Sequence, residues 1–215
     1  MFRNRQDAAL QLAAQLEKYR DQPLIVLGIP RGGIETAYYI SHQLDAPLSV
    51  VIVRKLGYPR DPEFAFGAIT EDGSVYYTAH LRKSISQETM DNVEDEQLKE
   101  IQRRVQLFRK GQPLPDLTNK TVIIADDGIA TAATVIAAIR LCKKKGAAKV
   151  IVAAPVAALD KVKEIEMESA EAVIIQQLPV LYAVSESFEE FRDLTDNEAL
   201  FFLEKREKEK LTEHH

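Results

Sequence analysis

The chain has 215 residues, which at about 150 residues per domain makes one large domain with room for a small appendage. Hydrophobic residues make up 46 % and charged residues 28 %, a globular balance that excludes a collagenous or mostly disordered chain. The formal charge of −5 argues against a general nucleic-acid binder, because that affinity rests on many phosphate contacts.

Leu10, Leu12, Ala13, Leu16 and Tyr19 recur at helical spacing, which predicts a helix over residues 3–20. The apolar run 24–29 reads as a strand buried on both faces. Pro30-Arg31-Gly32-Gly33 is a loop, a helix follows to about Leu44, and residues 48–53 form a second buried strand. That is a strand–helix–strand unit of a parallel sheet. Residues 54–62 read as a loop punctuated by Gly57, Pro59 and Pro62. Residues 64–70 and 74–78 are a hairpin around Glu71-Asp72-Gly73.

Ser86 caps a long helix that reaches Lys110 and stops at Gly111. A third buried strand covers residues 120–125 and a helix covers 131–145. A fourth strand follows at 149–154, then Pro155 and a helix near residues 159–168. A fifth strand covers 171–175. Thr195-Asp196-Asn197-Glu198 is a capping box for a last helix. The charged residues 204–213 read as a solvated, frayed tail. His214 and His215 read as the remnant of a tag.

Alternating buried strands and helices predict an α/β fold with a mostly parallel sheet flanked by helices. Ligands of such sheets sit at the carboxyl ends of the strands, so the loops after Ile29, Val53 and Ala125 are the candidate sites. The loop after Ala125 carries the most. Asp126 and Asp127 end a buried strand, and Thr131 and Thr134 open the next helix. Free N–H groups at a helix start hold phosphate, and carboxylates accept from ribose hydroxyls. The pattern suits a ribose 5-phosphate. The plain alternative is that the two acids cap the helix.

This segment resembles the 5-phosphoribosyl-1-pyrophosphate (PRPP) motif of type I phosphoribosyltransferases. Gly28-Ile29-Pro30-Arg31-Gly32-Gly33, Val53-Arg54-Lys55-Leu56-Gly57, Pro62-Glu63-Phe64-Ala65-Phe66-Gly67-Ala68 and Tyr182-Ala183-Val184 extend the resemblance over about residues 20–200. They point to a bacterial and archaeal group of unsettled substrate. The resemblance implies one domain over residues 1–203. Residues 1–20 and 176–203 would give it a small hood, and the hairpin plus long helix would be an insertion.

It implies transfer of the phosphoribosyl group to a nitrogenous base, with Mg²⁺ carried on PRPP rather than held in a protein cage. Asp126 and Asp127 would hold the ribose. Gly128, Ile129, Ala130, Thr131, Ala132, Ala133 and Thr134 would hold the 5-phosphate. Arg31, Gly32, Gly33, Arg54 and Lys55 would hold the pyrophosphate. Two glycines in the loop after the first strand also suit an anion nest; the plain alternatives are a tight turn there and a solvated strand end at Arg54-Lys55.

Arg60 lies in a lid-like loop. Glu63 is the candidate lid carboxylate found in adenine phosphoribosyltransferases, or else a surface glutamate. Ala132 stands where the family pattern has Gly, a departure that costs affinity if the backbone needs positive φ there. That departure, with no base signature, leaves open a second reading: a sensor that binds PRPP or a nucleotide without turnover.

Other residues are read conservatively. Tyr38, Tyr39, Tyr76 and Tyr77 either stack on a base or pack. Cys142 is a core residue, and as the single Cys it excludes a disulfide framework. Arg103-Arg104 and Glu94-Asp95-Glu96 look like solvated helix faces. His42 and His80 are far apart, so no protein-built metal site is expected. The uncharged stretch 172–185 is shorter than the about 18 apolar residues of a membrane span. The chain reads as soluble and cytoplasmic, with no membrane or nucleic-acid partner and with homodimer formation left open.

Overall fold

The structure, a computed structural model, describes residues 1–59, 61–78 and 85–213, and their side chains except at 61–64 and 213. In chain order come α1 (Arg5–Leu16), β1 (Leu24–Gly28), α2 (Gly32–Gln43), β2 (Leu48–Val50), β3 (Val53–Tyr58), β4 (Asp61–Thr70), β5 (Val75–Tyr77) and α3 (Gln87–Arg109). They are followed by β6 (Thr121–Ala125), α4 (Ala133–Lys144), β7 (Lys149–Ala158), α5 (Leu159–Glu168), β8 (Glu171–Leu178) and α6 (Asp196–Glu213).

The apolar runs form a five-stranded sheet in the order β2-β1-β6-β7-β8, with every pairing parallel. Helices α1 and α2 cover one face, where Leu12, Leu16 and Ile40 pack on Val26, Ile123 and Ile151. Helices α4 and α5 cover the other, where Val135, Ile139 and Ile165 pack on Ile25, Val122 and Val152. Burial on both faces is what a run without polar alternation requires.

Local chemistry sets the helix ends. Asn4 accepts from the Asp7 N–H at 3.0 Å and Ser86 from the Thr89 N–H at 3.2 Å. Lys110 and Gly111 end α3 with φ of 53° and 77°. The capping box holds: the Glu198 N–H donates to Thr195 Oγ1 at 3.3 Å, and the Thr195 N–H donates back to Glu198 Oε2 at 2.9 Å.

Several expectations are corrected. The second parallel strand stops at Val50. Residues 53–58, expected as a strand end running into a loop, form β3, which pairs antiparallel with β4 in a separate sheet β3-β4-β5. Register shifts on both sides of Gly57 make this strand irregular, which hides its period in the sequence. This sheet, α3 and α6 share a core of Leu56, Phe66, Met90, Ile101, Phe108 and Ala199.

The fourth strand passes through Pro155. The β6–β7 ladder ends at Ala125↔Ala153, so the missing N–H costs it nothing. The charged tail is no frayed segment: α6 continues to Glu213, with Arg206 only 2 % exposed against Ser41 and Asp45. Strand β8 runs on to Leu178. Arg60, His80, His214 and His215 lie outside the described residues, as does the side chain of Glu63.

Candidate active site

Strands β2 and β6 flank β1 on opposite sides. The chain therefore leaves β1 and β6 at the point where strand order reverses, the place where open α/β sheets form a crevice. The two loops touch. The Ile29 N–H donates to the Ala125 carbonyl at 3.0 Å. A Cβ on Gly32 would lie 1.8 Å from Asp127 Oδ2, and one on Gly33 would lie 2.6 Å from the Ala125 carbonyl oxygen. Both glycines serve close approach, since neither has positive φ. The Pro30–Arg31 peptide bond is cis.

Asp126 and Asp127 have unequal surroundings. The Asp127 N–H donates to Asp126 Oδ1 at 2.9 Å. Burial, and then the Asp127 charge beside it, push the Asp126 carboxyl well above the usual range. Asp127 faces a cation absent from the sequence reading, Arg5, the first residue of α1. Arg5 Nε and Nη2 approach Asp127 Oδ2 at 2.8 and 2.7 Å. Its Nη1 donates to the Arg192 carbonyl at 2.9 Å and lies 3.7 Å from Glu35. Its guanidinium stacks 4.1 Å above the Phe191 ring. Burial holds the Glu35 carboxyl up, against the pull of Arg5.

A cavity of about 450 Å³ opens over these groups, lined by Arg5, Arg31, Gly32, Arg54, Arg104 and Asp127 together with the 183–185 segment. A family model for the phosphoribosyl transferase domain matches residues 3–183. The chain belongs to the phosphoribosyltransferase family. It is 39 % identical over 211 residues to the Rv0571c protein of Mycobacterium tuberculosis strain H37Rv, provisionally named a phosphoribosyl transferase, and equally to its MT0597 counterpart in strain CDC 1551. The match covers 95 % of this chain and 47 % of each relative, so the chain spans about half the length of these curated relatives. The crystal structure of the TT1426 protein from Thermus thermophilus superposes with a TM-score of 0.79 at 30 % identity, over 94 % of this chain and 97 % of that one. The fold is that of the type I phosphoribosyltransferases, a mostly parallel sheet flanked by helices.

Within this phosphoribosyltransferase cleft the expected residues sort unevenly. Arg31, Gly32, Arg54 and Asp127 meet in one cavity, with Gly33 and Asp126 packed against each other beside it. Lys55 is the next residue of β3 and lines a neighbouring cavity of about 630 Å³ between β3 and α3, which Arg54 also touches. Contrary to expectation, neither residue leaves the end of a parallel strand; both lie within β3. Residues 128–134 do not line the cavity. Gly128 is pressed on Val184, where a Cβ would come within 2.5 Å of its methyl, and Ile129 is pinned to β7 through the Val156 carbonyl at 2.8 Å.

Ala132 precedes α4 with φ of −82°, so the backbone conformation there does not require glycine. Its methyl is 3 % exposed and belongs to the core. Arg104, expected on a solvated face, is 8 % exposed and lines the cleft. The tyrosines pack: Tyr38 is buried against Phe202, and Tyr77 stacks near Phe66. Cys142 is buried in the core, and burial raises its thiol to about 12. Among the described residues, no helix is long and apolar enough to cross a membrane.

Proposed function

We propose that this phosphoribosyltransferase transfers the 5-phosphoribosyl group of PRPP to a nitrogenous base. The ribose C1–oxygen bond breaks with its electron pair going to pyrophosphate, and a base nitrogen forms the new C1–N bond with inversion. The base then loses a proton to solvent or to a cleft carboxylate. The observation that carries the reading is the contact between the two switch-point loops, which sets the Asp127 carboxylate in one cavity with Arg31 and Arg54, with Asp126 beside it. A substrate with an anionic leaving group and a ribose that becomes cationic needs that arrangement of charge.

Asp126 and Asp127 would accept from the ribose hydroxyls. The first turn of α4, with Thr131 and Thr134, would take the 5-phosphate at its unpaired N–H groups. Arg31, Gly32, Gly33 and Arg54 would hold the pyrophosphate, and Lys55, lining the neighbouring cavity, would add positive charge beside it. Mg²⁺ would ride on the pyrophosphate and ribose oxygens of PRPP and neutralise the leaving charge there. Glu63 is proposed as the lid carboxylate on the acceptor side. The ordinary φ at Ala132 takes away one ground for a non-catalytic sensor.

The test is pyrophosphate release from labelled PRPP across a panel of purines and pyrimidines, with Mg²⁺ present. Release that depends on one base supports transfer. Tight PRPP binding with no release under any base would make the protein a sensor.

A further inference from the structure

Helix α3 is part of the inserted unit, yet it reaches the cleft. We propose that Arg104, carried on this helix, is a direct binding residue for the diphosphate end of the substrate and completes a clamp of three guanidiniums with Arg31 and Arg54. The inference rests on the phosphoribosyl reading of the cleft.

Arg104 falls between Ile101 and Phe108 on the buried stripe of α3, where a charge is costly unless it meets a partner. Its Nε donates to Glu100 Oε1 at 2.7 Å. Among the described residues, no side chain accepts from its two Nη groups, and the residue lines the cavity beside Arg31 and Arg54. Arg54 is held through its Nε by the neutral Gln97 at 2.9 Å. Burial, and then Arg104, weaken the hold of Arg54 on its proton.

The local charge is uneven. Among the described residues, Arg31, Arg103 and Arg104 pair with two carboxylates, Glu100 and Asp196, and Arg54 pairs with neither: Arg103 donates to Glu100 and to Asp196 at 2.8 Å, and Arg31 lies 3.9 Å from Asp196. Asp193 stands exposed at the rim. Half-buried Arg54 and buried Arg104, beside the more open Arg31, repel one another unless an anion joins them. A diphosphate presents non-bridging oxygens on two phosphorus centres and a higher charge, so it can engage more of the planar forks at once than a single phosphate can.

The experiment titrates inorganic pyrophosphate and, separately, ribose 5-phosphate into the whole protein and its variants by calorimetry. Arg104→Gln is expected to weaken pyrophosphate about tenfold or more, the scale of charge-assisted hydrogen bonds, while ribose 5-phosphate changes less than about twofold. Arg140→Gln, on α4 and paired with Glu168, controls for loss of a distant positive charge and should change neither. If Arg104→Gln does not fold, Arg104→Lys takes its place: it keeps the charge, loses the fork, and should still weaken pyrophosphate selectively. Unchanged pyrophosphate affinity in a folded variant overturns the proposal. Wild-type protein that binds ribose 5-phosphate but not pyrophosphate also overturns it, leaving the fold's phosphoribosyl site intact. Wild-type protein that binds neither overturns the underlying reading as well.

Discussion

Arg5 and Asp127 are 122 positions apart in the chain and form a nearly buried ion pair, both contacts falling on the one oxygen Oδ2. The pair ties the first turn of α1 to the loop after β6. It fixes the Asp127 carboxylate so that its other oxygen is not taken by Arg5. Removing one partner of a buried pair leaves a charge without compensation, at a cost of about 3–5 kcal/mol. Arg5→Met is therefore expected to destabilise the protein on that scale in urea titration, and Arg5→Met with Asp127→Asn to recover part of the loss. Additive effects of the two changes would mean that the pair is not coupled.

Gly32→Ala tests the contact of the two loops. The added methyl would overlap Asp127 Oδ2, so the loops must separate or the carboxylate must turn. Stability should fall by about 1–3 kcal/mol, as for other overpacked sites, and PRPP affinity should fall with it. A thermal melt and a calorimetric titration that both match wild type would show that the loops do not meet as described.

Ala132→Gly should not improve phosphate binding. The backbone there is already in an ordinary region and the methyl is packed in the core, so the change removes contacts and creates a small void. Loss of a single buried methyl costs about 1 kcal/mol. A tighter ribose 5-phosphate titration in this variant would show that the methyl obstructs the site.

Glu100 gives a pH dependence with a defined sign. Hydrogen bonds from Arg103 first, and from Arg104, hold its carboxyl down to about 2 from an ordinary 4.5. A depressed acid stabilises the fold above its unfolded value and loses that contribution as pH falls through its folded value. Glu100→Gln should thus be less stable than wild type at neutral pH. The gap should close as pH drops from about 4.5 toward 2. A gap that stays constant across that window in denaturant titrations would place Glu100 outside the pairing.

The parallel sheet was readable because strands buried on both faces are continuous apolar runs, and two helix starts were readable because Ser86 and Thr195 carry them in single residues. Strand β3 was not, since Gly57, Pro59 and the register shifts imitate a loop while its partner strand is what makes it a strand. Asp127 was legible from its motif, but its partner Arg5 was not, because nothing local links positions so far apart. A signal did exist. Arg5 shares the buried stripe of Ala8, Ala9 and Leu12 on α1, as Arg104 shares that of Ile101 and Phe108 on α3. A lone arginine on an apolar helix face asks for an acid or a ligand. Arg206, on the face of α6 that carries Ala199, follows the same rule. The tail was misread because its charges outnumber the few residues that anchor it.

The most direct measurement is a crystal structure of the protein with PRPP and Mg²⁺. The 5-phosphate is expected at the first turn of α4, the ribose hydroxyls on Asp126 and Asp127, and the diphosphate between Arg31 and Arg54. Density instead in the larger cavity of about 830 Å³ walled by Glu35, Phe191 and Phe201, with the switch-point cleft left empty, would contradict that placement.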